Sequence, residues 1–171
     1  MDGPTPAGTI DPRYSMPGAA PTSWADVRAR LDGAELALFT TVRADGRPHA
    51  TPVAFVWHAG AIHVTTGVDE QKARNLATSG ACLVSVASDA LDEGLDVVME
   101  GYAERVTDTA ALESIAQAYV ERYGEVFRFG VDGDHLTSDG GGPAIALRIE
   151  PRTVFAFGKG EAFSQTRFRL G

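Results

Sequence analysis

Between Leu36 and Thr66 the side-chain pattern repeats every two residues and is interrupted only by the tight-turn pairs Asp45-Gly46 and Ala59-Gly60. Alternation of this kind predicts strands, and connections this short leave no room for a helical crossover, so successive strands have to run antiparallel. Leu36, Leu38, Thr40 and Val42 are expected to share one face of the first strand. On the return strand, His49 to His58, His49, Thr51, Val53, Phe55 and Trp57 alternate with smaller residues, and Ala61 to Thr66 forms the third. Pro52 has no N–H to give to a ladder, which predicts an edge or bulged position for the second strand.

The flanking sequence fills in the rest. Pro4, Pro6, Pro12, Pro17 and Pro21 mark residues 1–22 as an extended arm without a core of its own, either disordered or laid across a neighbouring surface. Residues 23–171 read as a single domain. Ser23 offers an N-cap to a short helix with Trp24, Val27, Arg28 and Leu31 at helical spacing, ending at Asp32-Gly33. A second short helix, Asp69 to Thr78, places Lys72, Asn75 and Leu76 on one face. Strands are predicted at Ala81–Ala87 and Asp96–Val106. Asp108 caps an amphipathic helix with Leu112, Ile115, Ala116, Tyr119, Val120 and Tyr123 in one stripe, stopped by Gly124. Residues 125–143, including the three glycines Gly140 to Gly142, are expected to be loop. Strands at Ala144–Glu150 and Thr153–Phe157 and a polar, aromatic tail complete the chain. Six or seven strands with short helices between them predict a mainly β fold, a closed antiparallel barrel with peripheral helices.

Composition removes several classes of function. The 171 residues carry a net charge of −8, with only two lysines, Lys72 and Lys159, among 15 basic residues. That field is wrong for non-specific nucleic-acid or anionic-membrane binding. No apolar stretch is long enough to span a bilayer, and the N-terminus lacks a basic region followed by a hydrophobic core, so a cytoplasmic setting is expected. The single cysteine, Cys82, reads as a buried packing residue.

The residues that carry chemistry are few. Lys72 follows a strand ending Val64-Thr65-Thr66-Gly67; hydroxyls, backbone N–H groups and an ammonium together suit a phosphate, whereas the neighbouring Asp69 and Glu70 also suit a solvated surface lysine. His49 and Thr51 share a face and are placed to line a pocket at the barrel rim. His49, His58, His63 and His135 show no zinc-type spacing, and no metal site is expected, although His58 and His63 are placed to face each other across a hairpin. Gly101 marks a bulge or close approach within its strand. The nucleophile elbow, the phosphate loop and the dinucleotide fingerprint are all missing. An enzyme built from this chain would rely on a bound cofactor, with no catalytic side chain identifiable. The tail, with Phe155, Phe157, Phe163, Gln165, Arg167 and Phe168, suits either an interface or a segment pinned to its own barrel.

Three pieces in order, Thr41-Val42-Arg43-Ala44-Asp45-Gly46-Arg47-Pro48-His49-Ala50-Thr51-Pro52-Val53, then Thr65-Thr66-Gly67, then Lys72-Ala73-Arg74-Asn75-Leu76, resemble the pyridoxamine 5′-phosphate oxidase-like flavin and deazaflavin oxidoreductases. The resemblance implies a six-stranded antiparallel split β-barrel, an FMN-binding split barrel in the general case, that forms a homodimer with the cofactor at the subunit interface. It implies ring contacts from His49, Thr51, Pro52 and Val53, phosphate contacts from Thr65, Thr66, Lys72 and Asn75, and contacts from Gln165 and Arg167 in a tail reaching the partner or capping the ring. Arg74 lies about 200° round the helix from Lys72, points outward and adds nothing to the phosphate region. The substrate-binding residues of true pyridoxamine phosphate oxidases are not recognisable, which argues against vitamin B6 as substrate. The cofactor is expected to be FMN or coenzyme F-420. The implied activity is hydride transfer between that cofactor and a small conjugated substrate. The alternative is a non-catalytic flavin- or haem-binding carrier or sensor, with iron on His49, His58 or His63.

Overall fold

The computed structural model describes residues 5–139 and 141–170. The first four residues of the arm, Gly140 of the glycine run and Gly171 lie outside them. Three short-range signals become the three α-helices of the described residues. Helix α1, Trp24–Asp32, starts in a capping box in which Ser23 Oγ accepts the Asp26 N–H and the Asp26 carboxylate reaches back to Ser23. Helix α2 is Gln71–Thr78, two residues shorter at its start than expected, and α3 is Thr109–Tyr123, capped by Asp108 and closed by Gly124 at φ 76°.

The strands are β1 (Thr9–Ile10), β2 (Ala37–Val42), β3 (Pro48–Val53), β4 (Phe55–His58), β5 (Ala61–Gly67), β6 (Ala81–Val86), β7 (Gly94–Val106), β8 (Gly130–Asp132), β9 (His135–Thr137), β10 (Ala144–Lys159) and β11 (Ser164–Arg169). Every pairing is antiparallel. The main path runs β3-β2-β6-β7-β10, and β10 continues through β5 to β4. Its two ends, β3 and β4, are consecutive in sequence, yet Ala54 between them belongs to neither strand. The barrel is therefore split there rather than closed, and the single strand expected from His49 to His58 is two strands with different partners.

Two further expectations change, at Pro151 and in residues 125–143, and three that were open are resolved. The face of β2 that enters the core is Ala37, Phe39 and Thr41; Leu36, Leu38 and Val42 are exposed. Both alternations of this strand are largely apolar, so periodicity alone could not choose the inside. The two strands expected around Pro151 form one 16-residue strand, because a bulge between Pro151 and Thr153 absorbs the proline without ending the ladder. The predicted loop 125–143 contains a 3-10 turn, Glu125–Phe127, and the β8-β9 ribbon turning at Gly133. The arm lies on the chain's own sheet: Thr9 and Ile10 pair with Arg167 and Thr166, and Thr22 N–H donates to Thr166 Oγ1 at 2.8 Å. The tail takes the pinned form as strand β11 along β10, with Phe168 fully buried.

Two clusters make the core. One fills the barrel with Phe39, Phe55, Ile62, Val64, Met99, Leu147, Ile149 and Phe168 under α1; the other packs α3 onto the opposite face of β4 and β5 through Leu112, Ile115 and Tyr119. Gly101 faces Pro151 at the bulge, and a Cβ there would press on the Glu150 carbonyl, with the carbon of that group only 3.1 Å away. The obstacle is backbone, which cannot swing aside. Gly101→Ala is expected to cost roughly 2–3 kcal/mol, read as a lower urea midpoint at unchanged m-value; an unaltered midpoint would mean that the bulge is free to move.

Candidate functional site

The candidate residues lie on β3, β5 and α2, with α2 packed against β5 and against β2, the partner strand of β3. Residue pairing across β2 and β3 sets the first wall: His49, Thr51 and Val53 lie opposite Thr41, Phe39 and Ala37, all three of the latter buried. His49, Thr51 and Val53 therefore point inward. Val53 is sealed in the core, whereas His49 and Thr51 are half-buried and each holds a buried polar atom with no hydrogen-bond partner, Nδ1 and Oγ1 respectively. A buried donor or acceptor left unpaired costs about 1–3 kcal/mol. Pro52 points the other way, beside exposed Leu38, and can meet a ligand only through its backbone. It does sit on an edge strand, as its missing N–H requires: β3 ends the sheet path.

Helix α2 supplies the second wall. Lys72 and Asn75 are its buried residues, so the helix face expected from their spacing is the one that enters the fold. Asn75 Nδ2 donates to Thr41 Oγ1 at 2.8 Å and its Oδ1 accepts from Gln71 Nε2 at 2.8 Å. That amide is committed to docking α2 on β2, and Lys72 lies about one helical turn from it. Lys72 is not a solvated surface lysine: it is 7% exposed and forms an ion pair with Glu70. Arg74 points outward as expected, and its Nη1 donates to the Asp69 carbonyl at 2.6 Å.

Thr65 and Thr66 do not converge. Successive strand residues face opposite sides: Thr66 lies opposite Ile145 in the barrel interior, and Thr65 opposite Ala146 on the α3 side. Only Thr66 shares the interior with the face that α2 covers. Gln165 and Arg167 stand farther off. Arg167 pairs with Phe155 and Thr66 with Ile145, on the same strand β10. Ten residues of strand, about 30 Å, separate those two positions. The arm and tail form their own open groove of about 270 Å³, lined by Thr9, Asp11, Arg13, Phe155, Gln165 and Arg167.

Two residues that matter here were not singled out from sequence. Thr41 is one, legible only once β2's inner face is known. Glu70 is the other; its position two residues before Lys72 was visible, its contact was not. His58 and His63 do approach, with ring centroids 6.0 Å apart. His58 Nε2 bonds Ser114 Oγ at 2.8 Å and His63 Nε2 bonds the His58 carbonyl at 3.1 Å. Cys82 is half-buried, and burial pushes its thiol up to about 12, leaving it unreactive.

Residues 23–158 match the pyridoxamine 5′-phosphate oxidase family. The chain belongs to that family. Solved structures with the same fold include the conserved hypothetical protein Rv2991 from Mycobacterium tuberculosis, at TM-score 0.66 and 23% identity over 80% of this chain and 85% of that one. The haem storage protein HutZ from Vibrio cholerae aligns at TM-score 0.63 and 19% identity, covering 80% of this chain and 94% of its own. An F420 reductase aligns at 0.55 and 21%, covering 74% and 94%. Among curated proteins none matches. Family membership establishes the split-barrel architecture expected from the three sequence pieces. No helix among the described residues is long and apolar enough to cross a membrane.

His63 gives the site's surroundings a pH signature. Burial pushes its pKa down from 6.5 to about 4, helped by the nearby His58 and Arg148 and opposed by the bond to the His58 carbonyl. Between those values the unfolded chain takes up a proton that the folded chain refuses, so stability falls as pH drops from 6.5 to about 4, by about 3 kcal/mol in all. Chemical denaturation across that window is expected to show this slope in wild type and to lose it in His63→Gln. An equal slope in both proteins would place the titration elsewhere.

Proposed function

We propose that this chain is an oxidoreductase that holds FMN or the deazaflavin F-420 at a homodimer interface and passes hydride between that cofactor and a small conjugated substrate, in the cytoplasm and without nucleic-acid or membrane partners. The observation that carries the reading is the pairing of an enclosed ammonium on α2 with orphaned polar atoms on the inner face of an edge strand. His49 Nδ1 and Thr51 Oγ1 are buried with nothing to bind, and Lys72 is enclosed one helical turn from the Asn75 amide that docks α2 to Thr41. Such groups fit a ligand with a polar ring edge and an anionic tail.

Lys72, with Thr66 and the backbone from Thr65 to Gly67, would hold the phosphate. His49 and Thr51 would meet the ring by side chain, Pro52 and Val53 by backbone, and Asn75 would act as a positioning residue. The bound cofactor supplies the hydride chemistry; the chain binds it, orients it and excludes water, with no acid or base of its own assigned. Vitamin B6 is not the proposed substrate.

A second copy of the chain accounts for two features together. Gln165 and Arg167 are too far along β10 to join Lys72 within one protomer, so they would serve the site of the partner. The outer face of β2 and β7 meanwhile exposes Leu36, Leu38, Val42 and Tyr102, beside an open groove of about 420 Å³ that also includes Leu83 and Arg152. An exposed apolar face of this kind marks an association surface. Leu38→Glu is expected to yield monomers in sedimentation velocity; a dimer that persists would move the interface to another face.

The cofactor is tested by parallel fluorescence titration with FMN and F-420 of wild type and Lys72→Ala. Micromolar binding of one cofactor, weakened about tenfold or more by the substitution, is expected, in line with the loss of a charge-assisted phosphate contact. Binding of neither would overturn the reading. A Soret band on haem titration, lost on substituting His49, His58 or His63, would then favour a carrier like the haem storage neighbour.

A further inference from the structure

Lys72 and its counter-ion are placed the wrong way round for a surface ion pair. The lysine side chain is 8% exposed, whereas that of Glu70, which pairs with it, is 52% exposed. A buried cation stripped of its partner is strongly destabilising, so some anion has to stand on Lys72 whenever the protein is folded. The chain supplies one from two residues upstream. The second carboxylate oxygen of Glu70, Oε1, accepts the Gly67 N–H at 2.8 Å. Glu70 also leaves little room at Gly67, where a Cβ would come within 3.2 Å of that oxygen. One carboxylate thus spans an ammonium and a backbone amide between the end of β5 and the start of α2, with one oxygen on each. Phosphate makes the same kind of contacts at such a junction. Partial burial works against the Glu70 charge, but Lys72 and the Gly67 N–H outweigh it and hold the carboxyl below its ordinary range.

We propose that Glu70 is a stand-in anion, which satisfies Lys72 and the Gly67 amide in the free protein and is exchanged for the phosphate of an arriving cofactor. This rests on the phosphate role proposed above for Lys72. The exchange is physically open, because Glu70 sits on the solvent side of the pair and Lys72 on the protein side. It sets a limit on affinity: an incoming phosphate has to displace a charge that is already well placed, or bind beside it against like-charge repulsion. Arg74 cannot relieve this, since its guanidinium is turned out to the Asp69 carbonyl.

Glu70→Gln removes the charge but keeps the size of the side chain and an acceptor for the Gly67 N–H. Inorganic phosphate is the primary probe, followed through the Gly67 amide in 15N–1H spectra. The variant is expected to bind phosphate about five- to tenfold more tightly than wild type at the same pH and ionic strength. It should melt lower than wild type without phosphate and recover more of its Tm when phosphate is added. FMN should gain affinity in the variant, while riboflavin, which lacks the phosphate, should not. Glu70→Asp keeps the charge but is one methylene too short to span both donors, and is expected to fall between the two. Equal phosphate affinity in wild type and Glu70→Gln, or equal gains for FMN and riboflavin, would overturn the inference. Lys72→Ala separates the levels. If it abolishes phosphate binding while Glu70→Gln changes nothing, only the role of Glu70 falls; if it leaves phosphate and FMN binding intact, the phosphate role of Lys72 falls and takes Glu70's with it.

Discussion

Everything about this barrel depends on how it tolerates being split. Where β3 gives way to β4, the peptide groups around Ala54 and Phe55 leave one ladder before they join the next, and buried backbone groups have to be paired. Helix α3 does this with the tips of two side chains. Tyr123 Oη accepts the Phe55 N–H at 3.1 Å and shares its own proton between the carbonyls of Phe55, at 2.8 Å, and Glu35, at 2.9 Å. Tyr119 Oη does likewise between Ala54 O at 3.2 Å and His63 O at 3.1 Å. Between them in sequence, Arg122 donates to the Leu31 and Ala34 carbonyls at the end of α1, and its guanidinium lies 4.6 Å from the centre of the Phe55 ring. Spacings of three and four residues put these groups on one side of the helix. One helical face thus ties down the split and the end of α1 together.

The site follows from that arrangement. Because Tyr119 and Tyr123 satisfy the break, β3 need not continue along β5 and is left as the edge of the sheet. Edges invite unwanted pairing, and prolines are one way of blunting them; Pro48 and Pro52 stand on the outward side of β3. Its inward side carries His49 and Thr51 where the neighbouring positions of β2 carry Thr41 and Phe39. Apolar residues at 49 and 51 would remove two unpaired buried atoms. Stability alone gives no reason to keep His49 and Thr51 there, and the proposed ring contacts rest on that cost.

The elements were largely legible in the sequence because their signals are local. Ser23 with Asp26, Asp108, Gly124 and the turn at Asp45-Gly46 each act within a few residues, and the helix face of Lys72 and Asn75 follows from spacing alone. What escaped depends on contacts distant in the chain. The break at Ala54 is made by tyrosines more than sixty residues later, whose rings read simply as part of an apolar stripe. Pro151 reads as a strand end until Gly101 is found opposite it. Strand β2 has two apolar alternations, and nothing local decides that the face of Leu36, Leu38, Thr40 and Val42 is the outer one and that of Phe39 the inner. In the site, His49 and Lys72 were legible as residue types in a spaced pattern, whereas the opposite directions of Thr65 and Thr66 needed the identity of the strands on either side.

The two lysines differ in how many of their donors the chain itself uses. Each ammonium has three protons to donate. Lys159 uses them fully, on Asp96 at 2.9 Å, Ser88 Oγ at 3.0 Å and the Ala90 carbonyl at 2.8 Å, and so closes the loop between β6 and β7. Lys72 is the more buried of the pair, yet among the described residues its ammonium has Glu70 alone. A structural lysine at that depth would be expected to collect partners as Lys159 does. An enclosed cation with donors to spare, facing a carboxylate that reaches solvent, is the feature on which the proposed phosphate role of Lys72 rests. In a protein of net charge −8 with two lysines in all, this lysine sits on the helix that Asn75 docks against Thr41 of β2, the strand that also carries the edge strand β3.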